Sequence, residues 1–280
     1  MIIKAEEPFG FSAFLGVSFM DFGMPFLLEC SSIEDACALC AKLGLQFVEL
    51  NLSFPICNLD ALTSDHLNEL RQKYGLYFTF HLDEESAPCA FDSRVRAAYT
   101  DCILRAICLA GQTDTPTVNM HWPRGVYVTL PDRVTYLFEN YRLDYLRCTE
   151  QFRDACTKAA GDAVHVCIEN TDGFLPFQQE AIDMLLESPA FGLTLDIGHN
   201  YTADLIDEPF YAWHADRLYH MHAHDARGRH CHLPFGGGDM DWLARLRQAK
   251  AANARVVIEV KTVSALTESV EMLRKSVFSL

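Results

Sequence analysis

Basic residues are scarce in this chain. Its 280 residues include 23 Lys plus Arg against 38 Asp plus Glu, a formal charge of −15. A field of that sign repels phosphate backbones and anionic lipid at long range, so neither a nucleic-acid partner nor a membrane surface is expected. Low-complexity segments and linkers rich in Pro, Gly or Ser are missing too, and half of the residues are apolar. That excludes disorder and leaves a single α/β domain over 1–280 as the expectation. No apolar run is clean enough to span a bilayer. Phe9–Cys30 comes nearest, but Gly10, Gly16, Asp21, Gly23, Pro25 and Glu29 interrupt it, so it reads as a first strand and an aromatic loop. The opening MIIKAEEPFG has no basic region leading into an apolar core and a small-residue cleavage site. The eleven cysteines are odd in number and show no framework spacing. Cys37-x-x-Cys40 has no second pair to complete a zinc site, so buried, reduced thiols in a cytoplasmic protein are expected.

What is present is alternation. Short β-branched or aromatic runs occur at Phe14–Phe19, Phe47–Asn51, Tyr77–His81, Thr117–His121, Val164–Glu169, Gly192–Asp196, Leu218–His222 and Arg255–Val260. They are largely apolar, as strands buried on both faces are. Helical patterns fill the intervals. Ser31-x-x-Glu34 reads as a capping box ahead of Ala36, Leu39 and Leu43, with Gly44 as the stop. Leu67, Leu70 and Tyr74 form a second stripe ended by Gly75, Pro131–Gly161 reads as the longest helical region, and Val263–Val277 as the last helix. Eight strand–helix units without a linker predict a closed (β/α)8 TIM barrel. An open doubly wound sheet is the alternative, but it would carry a Gly-rich phosphate loop after an early strand.

The ends of these strands are polar. His81, His121, Glu169 and Asp196 close the third to sixth runs, with His199 three residues beyond. His222 closes the seventh, followed by His224, Asp225, His230 and His232, and Glu259 lies in the eighth. In a barrel all C-terminal strand ends open on one rim, so these residues converge. Carboxylates packed together repel unless a cation neutralises them. Imidazole with carboxylate and no thiolate suits Zn²⁺, Mn²⁺, Co²⁺, Fe²⁺ or Mg²⁺, so a divalent metal ion is expected. His165 and His220 fall deeper along their strands and read as core or supporting residues, His66 and His214 as solvated helix residues. Asn119 and Asn170 read as hydrogen-bonding support. The Gly236–Gly238 run suits a flexible rim turn at least as well as a phosphate loop.

In order, the segments CIEN (167–170), LDIGHN (195–200), HMHAHD (220–225), HLPFGGGDMDW (232–242) and VIEV (257–260) resemble those of the xylose isomerase-like barrel superfamily. That superfamily includes sugar-phosphate isomerases and epimerases and the endonuclease IV-type AP endonucleases, and the resemblance runs from about Gly16 to the C-terminus. It implies one divalent metal held by Glu169, Asp196, His222 and Glu259, with His199 as a substrate contact. Arg227 falls about one residue from a substrate-binding Arg of some epimerases. The endonuclease branch implies more metals, with His81 and His121 as further ligands and His199 and His232 at a third ion. His230 departs from that pattern, which has Asp there, and loses a charge that a third cation needs.

Two classes of function follow. In the first, a sugar or related polyhydroxy carbonyl compound is isomerised or epimerised by proton abstraction beside a metal-held carbonyl, with Glu169 and Glu259 as the two bases. A dehydratase of a polyol or keto acid would use much the same parts. The second is metal-assisted phosphodiester hydrolysis, which His81 and His121 favour and the −15 charge disfavours. Whether the chain forms a homo-oligomer is left open.

Overall fold

The computed structural model describes residues 20–276. Eight parallel strands close into a barrel, each hydrogen-bonded to its neighbours in chain order and the last to the first. They are β1 (Phe22–Pro25), β2 (Phe47–Asn51), β3 (Tyr77–His81), β4 (Thr117–His121), β5 (His165–Glu169), β6 (Phe191–Asp196), β7 (Leu218–Ala223) and β8 (Arg255–Ile258). Apolar side chains on the outer face of each strand meet the surrounding helices and form one continuous core. This is the (β/α)8 barrel that the alternation predicts, and β2, β3 and β4 coincide with the expected runs.

The first strand differs. Phe14–Phe19 lies outside the described residues, and the barrel begins with Phe22–Pro25, within the interrupted Phe9–Cys30 segment. Gly23 explains why so unpromising a run serves. Its inward position faces the Phe47 ring, which stacks on Tyr77 at 5.1 Å between centroids. On β6, Gly192 makes the same allowance for Tyr219, whose ring meets His165 at 4.4 Å. Small residues opposite large rings fill the lower barrel, a packed floor beneath the polar rim.

The helical reading of Pro131–Gly161 is also corrected. Tyr127–Thr129 and Val134–Tyr136 pair as an exposed antiparallel hairpin, and helix starts only at Leu137–Asn140 and Arg142–Ala160. The β-branched residues of VYVT and VTY are the local cause. The first helix, Ile33–Lys42, is capped by Ser32, whose Oγ accepts from the Asp35 amide at 3.0 Å, rather than by Ser31. Gly75 ends Ser64–Tyr74 in the left-handed conformation, as expected. All eleven cysteines are free. Burial pushes the Cys37 and Cys57 thiols up to about 12, which makes them unreactive, whereas Cys102 and Cys108 are exposed against expectation. Among the described residues no helix is long and apolar enough to cross a membrane.

A methyl group at Gly23 would lie 2.4 Å from the Phe47 ring, which Tyr77 and His220 hold in place. Gly23→Ala is therefore expected to destabilise the fold by about 1–3 kcal/mol. Urea unfolding measures this; an unchanged midpoint would mean that Phe47 can swing aside.

Candidate active site

The C-terminal rim collects the acidic and imidazole side chains. Glu169 ends β5 and Asp196 ends β6, while His222 sits one residue before the end of β7. Glu259 lies just past β8, its amide bonded to Ala223 O at 3.0 Å. Strand register sets His121 beside Glu169 and Asp196 beside His222. One ligand atom from each of Glu169, Asp196, His222 and Glu259 lies within 4.8 Å of all the others. The four residues named from the sequence as one set are thus brought together.

Glu169 faces two ways. Its Oε1 lies 2.9 Å from His222 Nδ1, and its Oε2 lies 3.3 Å from His81 Nε2 and 3.6 Å from His121 Nε2. The Asn119 amide donates to that Oε2 from one layer below. His81 Nδ1–H donates to Leu82 O at 2.8 Å, which leaves Nε2 to face the carboxylate. His81, His121 and Glu169 accordingly form a second group able to hold an ion, sharing Glu169 with the first.

Sequence reasoning missed Glu49. It is buried on β2, with Oε1 at 2.8 Å from His222 Nε2 and Oε2 at 2.9 Å from His220 Nε2. The Thr79 hydroxyl donates to Oε2 at 3.0 Å. Carboxylates at 2.8 and 2.9 Å keep hydrogen on both ring nitrogens of His222 in the metal-free protein, and Nδ1, which faces Glu169 and Glu259, is the nitrogen an ion would take. One signal was available: in FVELN the alternation that turns Asn51 inward also turns Glu49 inward. Lys261, likewise missed, donates to Glu259 Oε1 at 2.8 Å.

These contacts set the charges. Burial alone would lower the His222 pKa, but the Glu169, Glu49 and Glu259 carboxylates hold it well above the usual imidazole value. Burial would raise Glu169 and Glu259, yet His222 beside them keeps both well below the ordinary carboxylate range. His81 is desolvated, but its bond to Glu169 and that residue's charge carry it to about 9. Burial lowers His121, and takes His232 down to about 4. The donor set fits a divalent ion. It is rich in oxygen and nitrogen and anionic, and both ring nitrogens of His222 as well as Glu259 Oε2 are buried without an aligned hydrogen-bond partner.

The remaining expected residues are placed as follows. His199 and His232 lie beside this set, their rings 5.2 Å apart, with His232 Nδ1 3.0 Å from Glu259 O. His230 and Arg227 are exposed at the turn end of an antiparallel ribbon, Asp225–Arg227 paired with His230–Leu233. His230 belongs to none of the ligand groups found among the described residues, and Arg227 Nε is 3.3 Å from Asp239. Asn170 brackets Asp196, accepting from its amide at 2.8 Å and donating to its carbonyl at 3.0 Å. His66 is exposed, but His214 is not free in solvent, lying 2.8 Å from Asp183 and against Phe210. The glycine run after His232 is no phosphate loop. The Asp225 carboxylate already accepts from the amides of Ala226, Gly236 and Met240 at 2.8, 3.0 and 3.1 Å. A cavity of about 110 Å³ opens beside Glu259, walled by Phe26, Leu28, Phe54, His81 and Lys261.

His81 yields a pH prediction. Its pKa is raised from 6.5 to about 9 on folding. The stabilisation that His81 contributes to metal-free protein is then complete below about 6.5, declines as pH rises, and is lost above about 9. Thermal unfolding of chelator-treated protein between pH 6 and pH 10 measures this, with His81→Gln expected to flatten the profile.

The family described as xylose isomerase-like TIM barrel matches residues 37–276. None of the curated proteins is significantly similar in sequence. Among solved structures, a D-tagatose 3-epimerase-like protein is 23% identical with a TM-score of 0.74, over 93% of this chain and 98% of its own. A 3-keto-D-glucoside 4-epimerase from E. coli is 15% identical with a TM-score of 0.72, over 91% and 99%. A D-psicose 3-epimerase, solved in the presence of D-fructose, is 16% identical with a TM-score of 0.65, over 92% and 99%.

Proposed function

Because this chain belongs to the xylose isomerase-like TIM barrel family, we propose that it is a divalent-metal-dependent epimerase or isomerase of a sugar or related polyhydroxy carbonyl compound. The observation that carries this reading is the convergence of Glu169, Asp196, His222 and Glu259, whose ligand atoms lie within 4.8 Å of one another. These four would hold the ion. When bound, it would supply a Lewis acid for the substrate carbonyl and the positive charge that three adjacent carboxylates call for. The sugar epimerases among the structural relatives support the substrate class. Eleven free thiols support a reducing, cytoplasmic setting.

Glu169 and Glu259 approach His222 Nδ1 at 2.9 and 3.4 Å from strands three steps apart around the ring. A substrate seated between them would present opposite faces of its acidic carbon to two bases. One carboxylate removes the proton next to the carbonyl and the other returns a proton on the far side. The His222 contact keeps either carboxylate anionic and able to start as base, the partner that returns a proton must first take one up from solvent, and Lys261 steadies Glu259. Phe26, Leu28 and Phe54 give the cavity an apolar wall for the C–H face of a sugar. His199 and, from the ribbon, Arg227 are the candidates for substrate contact. A dehydratase of a polyol or keto acid would begin with the same abstraction.

One observation favours a second reading. His81, His121 and the outer oxygen of Glu169 could hold another ion, and two ions sharing a carboxylate suit phosphodiester hydrolysis. Elemental analysis separates the two. One metal per chain, unaffected by His81→Ala, supports the epimerase; two, with cleavage of an abasic-site duplex, supports the hydrolase.

Asp196→Ala is expected to lose most bound metal while the barrel stays folded, and full occupancy would refute the assignment. In metal-loaded protein, Glu169→Gln and Glu259→Gln should each abolish turnover of the ketose found by screening. Each should leave solvent-deuterium exchange only at the face of the remaining base. Near-wild-type turnover in both would end the two-base scheme.

A further inference from the structure

The imidazoles of His199, His224 and His232 stand close enough together to suggest another metal group. The ring nitrogens of His224 speak against it. Nδ1 accepts from the His232 backbone amide at 2.7 Å, so its lone pair is taken. Nε2 must then carry the proton, and it lies 3.1 and 3.2 Å from the two oxygens of Asp196. Nothing on the ring is left for an ion. His224 is fully buried, and the structure around it is shaped to its ring. A Cβ at Gly198 would come within 2.0 Å of His224 Cε1. His232 adopts a left-handed backbone, φ 58°, unusual for a residue with a side chain, and its amide is the one that reaches Nδ1.

We infer that His224 is a positioning residue that holds the Asp196 carboxylate in its ligating orientation, and that it is not itself a metal ligand. The Asp196 side chain is fixed from two directions. Oδ1 accepts from the His199 amide at 2.6 Å as the cap of helix Ile197–Thr202, and His224 Nε2–H bridges its oxygens from just past the end of the neighbouring strand β7. Neither Asp196 nor any other side chain is needed to hold His224 from its far side, because a main-chain amide does so. Outer hydrogen bonds of this kind set the angle of a ligating carboxylate, and their loss weakens metal binding without removing a ligand. The inference rests on the reading of Asp196 as a metal ligand.

The test is titration of Mn²⁺ or Zn²⁺ into chelator-treated protein, reading both affinity and the number of ions bound. His224→Leu should bind the same number of ions as wild type, with affinity at the Asp196 site lower by about 10–100-fold. His224→Gln offers an amide N–H to Asp196 and a carbonyl to the His232 amide, and should recover much of that loss. Gly198→Ala should reproduce the weakening by displacing the ring, although alanine favours a helix over glycine. Loss of one whole ion in His224→Leu, with the remaining affinity intact, overturns the inference, as does an affinity within about twofold of wild type. If the variant does not fold, imidazole ¹⁵N shifts of the wild-type zinc form decide. A proton on Nε2 of His224 is expected, and a proton on Nδ1, or zinc bound to the ring, overturns the assignment. Wild-type protein that binds no ion refutes the proposed function itself, which distinguishes that failure from this one.

Discussion

Four carboxylates share the mouth of this barrel, and almost everything else there follows from keeping them charged and apart. Glu49, Glu169 and Asp196 are buried, and Glu259 is only partly exposed. In so dry a place neighbouring anions repel strongly and would take up protons unless countered. Imidazoles provide the counterweight, as charge at His222 between Glu49 and Glu169 and at His81 beside Glu169, and as hydrogen-bond donors at His220 below Glu49 and His224 behind Asp196. A divalent ion would replace protons in this arrangement, so metal and pH would act on the same groups.

Such a rim needs a rigid support. The lower barrel supplies it by setting Gly23 and Gly192 against Phe47 and Tyr219, so that rings occupy the axis where a polar layer would otherwise meet solvent. The same economy of space recurs at the rim, where Gly198 makes room for His224. Glycines here are chosen less for backbone freedom than for what a methyl group would strike. The cost of the polar upper layer is borne by the apolar contacts outside the strands, which form one continuous core.

The ribbon after β7 shows a further use of internal charge. Asp225 gathers the amides of Gly236 and Met240 from the glycine-rich turn together with that of Ala226, and a Cβ at Gly238 would press on Ala226 O and Asp225 Oδ1 at 2.2 and 2.3 Å. An anion built into the chain therefore occupies the place where an external phosphate would have to bind. His232 is held by the same ribbon, so the loop that resembles a ligand cradle serves to position side chains at the rim.

Much of this was legible in the amino-acid order. Buried strands are apolar on both faces, and polar residues ending six consecutive strands are visible without coordinates, which is why His81, His121, Glu169, Asp196, His222 and Glu259 stood out. The family resemblance set four of them apart as one group. The limits have physical causes. Phe22–Pro25 is short and contains Gly and Pro, so its strand character comes from pairing with β2 and β8 rather than from its own residues. Residues 127–136 form a hairpin because β-branched residues outweigh a helical spacing that only begins in earnest at Leu137. Glu49 hid inside an apolar run, and only closure of the ring shows that β2 faces β7 across the barrel, 171 residues away at His220. Local pattern determined which elements form and which ends are polar. Distances across the barrel decided which imidazole serves which carboxylate, because those contacts join strands that share no local sequence.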